Sequence, residues 1–261
     1  MSRPSRGVRC CLAIQDPRAD AWFGDVAAQC ESYDLKPAPG TLDFFQTVPL
    51  RRRSLLPNGT HFELLASDRQ MVFENGTDIA VDASAHAVEE TIEAALVFVG
   101  WGIRAPSLGH DDYAGSNVKG KAVVILEGAP ASFPGALRAH YSWIQQKERM
   151  AAEAGAVALL TLKSPERERV SPWDWARKLR PLPALSWKDP MLAGSQPRTK
   201  ATITLGPQAA RTLFAQVGRD LDLIYAGSAT RPPHGFELPV SMRLSRRSSH
   251  EELSSANVVG V

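Results

Sequence analysis

The cluster His110-Asp111-Asp112 contains residue types that could bind a metal ion. A histidine and an aspartate two residues apart are able to ligate or orient such an ion. The cluster lies among serine and glycine residues, however, and no second group of His, Asp or Glu has a matching spacing. We therefore predict that Asp111 and Asp112 organise a turn. An enzyme site near this cluster is the last of three hypotheses about function.

Two tryptophans, Trp173 and Trp175, form the second candidate site. They stand in a segment rich in charge and proline, residues 163–183, which we predict to be a loop. Exposed aromatic side chains often mark binding surfaces, so this pair is a possible binding surface. The alternative is that both rings cover the protein's own core, because tryptophan is seldom left bare.

Several common enzyme motifs are absent from the sequence. It has no Gly-x-Ser-x-Gly elbow, no His-Glu-x-x-His pair, and no glycine-rich loop of the kinds that bind phosphate or dinucleotides. The pattern Val99-Gly100-Trp101-Gly102 is too short to hold a phosphate. We predict that its glycines allow a close backbone approach at the end of a strand. We expect no catalytic residue and no metal ligand in this chain.

Composition limits the class of protein. The chain has 261 residues, 44% of them hydrophobic, and a net charge of +2, as expected for a globular protein with a sizeable core. The small net charge argues against a nucleic-acid partner, and no apolar run has the roughly 20 residues of a membrane span. Cys10, Cys11 and Cys30 are too few for a disulfide scaffold. One bridge or three free thiols stay open.

Hydrophobic periodicity predicts the elements that position these residues. A first helix is expected over 17–33, with Asp34 as a left-handed stop. Uninterrupted apolar runs predict buried strands at 95–99, 122–126 and 156–160. A helix over 139–154, stopped at Gly155, would connect the last two strands as a βαβ-like unit.

Weaker patterns complete the prediction. Further strands are expected at 44–48, 61–65, 70–73, 199–205 and 236–244, and a further helix at 207–217. The last residues, 257–261, look like the beginning of another strand. Strands and helices alternate in this order, which predicts the α/β class.

Several motifs then resemble a protease-associated (PA) domain. They are Gly100-Trp101-Gly102-Ile103, Gly109-His110-Asp111-Asp112-Tyr113, Asn117-Val118-Lys119-Gly120-Lys121 and Ala152-x-Ala154-Gly155-Ala156. The flanking segments resemble a bacterial di-zinc aminopeptidase family of the leucyl aminopeptidase and aminopeptidase Y kind: Leu35-Lys36-Pro37-Ala38, the segment 44–50 and the segment 255–261. Asp34 departs from the family, which usually has glycine there.

The resemblance implies an architecture. It implies a PA-type mixed β-sheet or open barrel with flanking helices, plus an N-terminal helix and a terminal strand from an incomplete α/β peptidase domain. Residues 1–50 would be an N-terminal remnant of the peptidase domain. Residues 51–250 would be the accessory region, with the PA core at about 90–206. Residues 251–261 would be the first strand of the missing peptidase domain.

The resemblance also implies a function. A PA domain would be a non-catalytic accessory domain that covers or gates the active site of a zinc-dependent exopeptidase and influences access of peptide substrates. The family holds two zinc ions with residues that follow the strand at 257–261, so no metal ligand transfers to this chain. The expected partner is a peptide or protein substrate. The alternative is a stand-alone protein-binding module without peptidase activity. Relatives are usually exported, but this sequence starts without a signal peptide, so its location is left open.

Overall fold

The fold is taken from a computed structural model, which describes residues 17–188, 198–228 and 233–261. Its contacts divide the chain into two compact units. Within the described residues, the first unit comprises 17–52, 185–188 and 250–261. The second comprises 53–184, 198–228 and 233–249. The predicted domain bounds stay a prediction.

The described residues form an alternation of strands and helices. The strands are β1 (Phe45–Leu65), β2 (Gln70–Phe73), β3 (Ile79–Val81), β4 (Glu89–Phe98), β5 (Arg104–Ala105), β6 (His110–Asp111), β7 (Ala122–Leu126), β8 (Ala158–Leu162), β9 (Ala184–Trp187), β10 (Ala201–Leu205) and β11 (Phe236–Val258). The helices are α1 (Pro17–Ser32), α2 (Gly135–Ser142), α3 (Ile144–Glu153), α4 (Pro165–Val170), α5 (Trp173–Leu179), α6 (Pro207–Gln216) and α7 (Leu221–Ser228), with a short 3-10 helix at Pro106–Leu108. None of these helices has the length and apolar character needed to cross a membrane.

The first unit has a small core built on one face of α1. Its buried residues follow helical spacing along α1 and meet two residues from other segments: Phe23, Ala27, Cys30, Phe44 and Val258. The helix ends as predicted, because Asp34 has a φ of 56°. Trp22, on the same helix, and Tyr33, just after it, are exposed. Cys30 is a buried free thiol, while Cys10 and Cys11 lie outside the described residues.

The second unit is organised by a barrel-like mixed sheet. Along the sheet the strand order is β2-β1-β11-β4-β7-β8-β10-β3. Strands β4, β7, β8 and β10 are parallel neighbours, and β11 and β3 pair antiparallel with the two outer ones. The predicted α/β class is confirmed.

The apolar runs explain why this sheet forms. Every residue of β7, β8 and β10 is buried, and burying a Val, Leu or Ile side chain contributes about 1.5–3 kcal/mol. Ala122 pairs with Ala158 and Leu126 with Leu162 in parallel register. The predicted βαβ unit is therefore confirmed, and its helical segment ends at Gly155, with φ of 90°, as expected.

The single helix predicted over 139–154 is wrong. Two helices, α2 and α3, meet at Trp143, whose φ of −71° and ψ of 125° are extended. The Trp143 N–H donates to His140 O at 3.3 Å, which closes α2 with a tight turn. Only one residue separates the two helices, so the spacing of apolar residues in the sequence continues almost unchanged across the break. For this reason the sequence predicted one helix.

The loop predicted over 163–183 is also wrong, because the segment folds into α4 and α5. Ser164 caps α4 by accepting a hydrogen bond from the Arg167 N–H at 3.2 Å, and a proline occupies the first turn of α4. Short helices of this kind lack the length over which periodicity is readable. The strands predicted at 44–48 and 61–65 likewise belong to one strand, β1.

The glycines after β4 have the predicted role. Gly100 and Gly102 have φ of 69° and 66°, a region that favours glycine. A Cβ on Gly102 would lie 2.6 Å from Ile125 Cγ2. One on Gly100 would lie 2.9 Å from Pro233 O. Both positions therefore require a residue without a side chain.

Candidate functional site

The four parallel strands end at the same edge of the sheet. The segments that follow β4, β7, β8 and β10 begin at Val99, Glu127, Lys163 and Gly206. Ligands of α/β proteins commonly bind outside the carboxyl ends of parallel strands. The carboxyl edge of this sheet is therefore the first place to look for a site.

Lys147 of α3 is buried beneath this edge, with a side chain 1% exposed. Its Nζ donates to Trp101 O at 2.6 Å and to Leu126 O at 2.9 Å. Burial lowers the pKa of the Lys147 ammonium to about 7, while the carboxylates of Asp112 and Glu127 act in the opposite direction. Because both hydrogen bonds go to main-chain carbonyls, this amine ties the ends of β4 and β7 together rather than facing a ligand.

Glu127 is the centre of a polar network at the end of β7. Its Oε2 accepts a hydrogen bond from Lys163 Nζ at 2.9 Å, and Arg167 Nε lies 3.7 Å from the same oxygen. Its Oε1 lies 3.1 Å from Thr161 Oγ1, which in turn lies 3.1 Å from Thr204 Oγ1. The network links β7, β8 and β10, and both oxygens of the carboxylate are used in it.

A cleft of about 370 Å³ opens beside this network. We call it the aromatic cleft. It is lined by Glu127, Ser142, Trp143, Ile144, Lys147, Lys163, Arg167, Ser171, Trp175, Ala176, Leu179, Arg180 and Thr204. Trp143 and Trp175 are each 58% exposed and Leu179 is 61% exposed. All lining residues belong to the second unit. Buried polar side chains, among them Lys147 and Lys163, form what we call the floor of the cleft, and the exposed side chains of Trp143, Trp175 and Leu179 form its rim.

A larger cavity, of about 860 Å³, lies next to the aromatic cleft. We call it the helix cavity, because residues of α2, α4 and α7 line it together with the segment 127–131. Its charged groups are largely paired, with Arg138 lying 3.6 Å from Glu166. Tyr225 also lines it, and burial raises the pKa of this phenol above its usual value.

The predicted pair Trp173 and Trp175 is divided by the structure. Trp173 is half-buried and covers Gly206, where a Cβ would lie 3.0 Å from the indole ring. Trp175 is exposed and lines the aromatic cleft. The first ring thus packs on the protein, in line with the alternative interpretation, while only the second is placed to contact a partner. That the two form a binding surface stays a prediction.

The His110-Asp111-Asp112 cluster organises a turn. Asp111 Oδ1 accepts a hydrogen bond from the Tyr113 N–H, and Asp112 Oδ2 accepts one from the Ile103 N–H, both at 2.9 Å. His110 is buried against Phe133, and its Nε2 lies 3.0 Å from Asp112 Oδ2 without the alignment of a hydrogen bond. Across residues 17–188, 198–228 and 233–261, no three His, Cys, Asp or Glu side chains are grouped as metal ligands.

Sequence reasoning missed Lys147, Glu127 and Trp143. A signal for Lys147 existed in the sequence, because it lies four residues after Trp143 and three before Met150. This helical spacing puts a lysine on the same side of the helix as two apolar residues. A lysine in such a stripe is almost never fully buried unless paired. Glu127, directly after an apolar strand, carried no comparable signal.

Comparison with known proteins found a similar solved structure but no matching family. No protein-family model matches the sequence, and no curated protein matches it. Among solved structures, the chain is similar to an aminopeptidase from Aneurinibacillus sp. strain AM-1, with 16% sequence identity and a TM-score of 0.42. The similarity covers 95% of this chain and 43% of that chain. This chain therefore spans less than half the length of that aminopeptidase.

Proposed function

We propose that this chain is a non-catalytic, PA-type accessory part of a zinc-dependent exopeptidase of the aminopeptidase kind. In this proposal it binds peptide chains and influences their access to that enzyme's active site. The two zinc ions would be held by the remainder of the enzyme, beyond the residues of this chain.

The observation that carries the proposal is the contrast between the paired polar groups in the floor of the aromatic cleft and the exposed aromatic side chains at its rim. The ionisable groups of the floor are bound to one another or to main-chain carbonyls. The rim presents Trp143, Trp175 and Leu179 to solvent, and aromatic side chains of this kind dominate the energetics of protein recognition. The PA-like motifs, which include the segments at 100–103 and 117–121, provide the link to a peptidase.

The test starts from the native polypeptide. An antibody raised against this chain would be used to isolate that polypeptide from its source and to measure its mass. We expect it to release amino acids from short peptides in the presence of Zn²⁺ and to lose this activity in a chelator. The recombinant 261-residue chain should release none above a mock preparation. A native polypeptide without Zn²⁺-dependent release, or a recombinant chain with it, would overturn the proposal.

A second candidate is a stand-alone protein-binding module. One observation favours it: the aromatic cleft is lined entirely by residues of one compact unit, so the site needs no second domain to be complete. This candidate gains if the native polypeptide has the 28.4 kDa mass of the chain and releases no amino acids.

A further inference from the structure

We propose that the aromatic cleft binds a peptide segment that carries an apolar side chain next to one or more carboxylates. This inference rests on the proposed function and narrows it, because it names the class of peptide that the accessory part would select. It is drawn from the size, the walls and the charge of the cleft.

The size of the cleft fits a side chain. Its volume of about 370 Å³ is at the lower end of the range for ligand sites, about 300–1,000 Å³. A whole folded partner does not enter such a space, and a single water molecule, which occupies about 30 Å³ in the liquid, does not fill it. One or two side chains of an extended peptide do.

The walls of the cleft select an apolar group. Trp143 at the joint between α2 and α3 lines the cleft together with Trp175 and Leu179 of α5. These three side chains have most of their surface exposed. Covering it would remove apolar area from water, and rigid aromatic rings lose little conformational freedom when they are covered.

The charge of the cleft selects an acidic group. Lys163, Arg167 and Arg180 line it against one carboxylate, that of Glu127, even when the buried Lys147 is left out of the count. Lys163 is paired with Glu127, whereas Arg180 reaches only Thr202 O, at 3.4 Å. Within the described parts of the chain, no carboxylate lies within 4.0 Å of Arg180.

Arg167 adds a second cation to the lining of the cleft. Its side chain is 37% exposed, and its Nε lies 3.7 Å from Glu127 Oε2. The exposed part of the guanidinium would gain charge neutralisation and a hydrogen bond from a carboxylate that arrives with a peptide.

A nucleic acid matches these features less well. Single-stranded nucleic acids bind along grooves that follow several phosphates and stack several bases. The aromatic cleft is a short pocket with two tryptophans and two cations outside the Lys163–Glu127 pair. A peptide with one apolar side chain and a neighbouring carboxylate uses all of these groups.

The probe is a fluorescein-labelled peptide in which Leu-Phe is flanked on both sides by Asp and Glu. Its binding to the 261-residue chain would be measured by fluorescence anisotropy, next to a control peptide with Asn and Gln in place of the acids. We expect the acidic peptide to bind about tenfold more tightly at low salt and to lose most of that advantage at about 1 M salt.

Variants locate the binding on the cleft. Trp143→Ala and Trp175→Ala should each weaken binding of the acidic peptide by about fivefold or more, and Arg180→Gln should weaken the acidic peptide more than the neutral one. The matched controls are Trp187→Ala, which removes an exposed tryptophan of β9, and Arg69→Gln, which removes an exposed cation outside the cleft. Both controls should bind as the unchanged chain does, and urea unfolding would verify that every variant is folded.

Three results would overturn the inference. They are equal binding of the two peptides, unchanged binding by folded Trp175→Ala, and displacement of the acidic peptide by an equal concentration of single-stranded oligothymidine. These results are separate from a failure of the proposed function. If the native polypeptide shows Zn²⁺-dependent peptidase activity but this chain does not prefer the acidic peptide, only this inference fails. If the acidic peptide binds at the cleft but the native polypeptide has no peptidase activity, the proposed function fails and the assignment of the cleft stands.

Discussion

The floor and the rim of the aromatic cleft lie side by side in one compact unit but are built on opposite principles. The floor places Lys147, Glu127 and Lys163 in hydrogen bonds at the strand ends. The rim leaves Trp143 and Trp175 more than half exposed. Buried polar networks fix a shape, because each member is costly to leave unpaired. Exposed aromatic groups leave binding free energy available for a partner. The difference teaches that the buried charges of this site hold the structure together, while the exposed aromatic side chains beside them are the groups left free for the proposed peptide.

The largest expected effect tests the floor. Lys147→Ala removes the donor to Trp101 O and Leu126 O, so two buried carbonyls lose their partner and a cavity opens. We expect a loss of about 3 kcal/mol in the free energy of unfolding, measured by urea titration. Lys36→Ala, at an exposed lysine, should cost less than about 0.5 kcal/mol. Equal costs for the two variants would mean that the floor is not held by Lys147.

The pH dependence of stability is the next effect in size. The pKa of Lys147 is lowered to about 7 in the folded protein, against about 10.4 in an unfolded chain. Between these values the unfolded state binds a proton that the folded state lacks, so stability rises with pH, by about 1 kcal/mol per pH unit from pH 7 to about 9.5. Well below pH 7 the Lys147 amine is protonated in both states and this contribution is constant.

Lys147→Met gives the control for that slope. It keeps the length of the side chain and removes the titrating group, so the rise above pH 7 should disappear. At higher pH the phenols of Tyr113 and Tyr225, whose pKa values burial raises, act in the opposite direction, because the unfolded state then releases protons that the folded state keeps. A flat profile in the unchanged chain would contradict the assignment to Lys147.

A smaller effect tests the link between strands. Thr161→Val removes the hydroxyl that stands between Glu127 and Thr204, and we expect a cost of about 1 kcal/mol in thermal or urea unfolding. The matched variant is Thr91→Val, where the hydroxyl pairs with Ser245 at an exposed position. Water replaces that partner, so its cost should be smaller. The reverse order would show that the network around Glu127 is not continuous.

The smallest expected effect belongs to the rim. Trp175→Ala should change the free energy of unfolding by less than about 0.5 kcal/mol, because its ring is mostly exposed. Trp173→Ala, two residues earlier, removes a ring that packs on Gly206 and should cost about 1 kcal/mol or more. If Trp175→Ala were the more destabilising of the two, the rim would be part of the core and the comparison with the floor would fail.

The positions of many of the strands in the sheet could be predicted from the sequence. The apolar runs that formed β7 and β8 consist of residues buried along the whole strand, and the apolar composition of such a run is enough to predict it. The bounds of β2 were also predicted as observed, and so were the ends of α1 and α3, where Asp34 and Gly155 adopt left-handed backbone.

The residues of the aromatic cleft could hardly be predicted from the sequence, for a physical reason. The floor joins Glu127, Lys147 and Lys163, which are far apart in sequence and meet only because parallel strands end at one edge. The rim depends on Trp143 lying at a break between two helices, and periodicity smooths over a break of one residue. Only Trp175 was named in advance, and it was predicted in a loop rather than on a helix.

Glu127, Ser142 and Arg167 line both the aromatic cleft and the helix cavity, so the two spaces share a partition. That partition is made of side chains and the last residue of α2, not of strands. Glu127 is held there by hydrogen bonds from Lys163 and Thr161, so the partition shares the fixed shape of the floor. The cleft and a neighbouring space of more than twice its volume are therefore bounded by one and the same polar network.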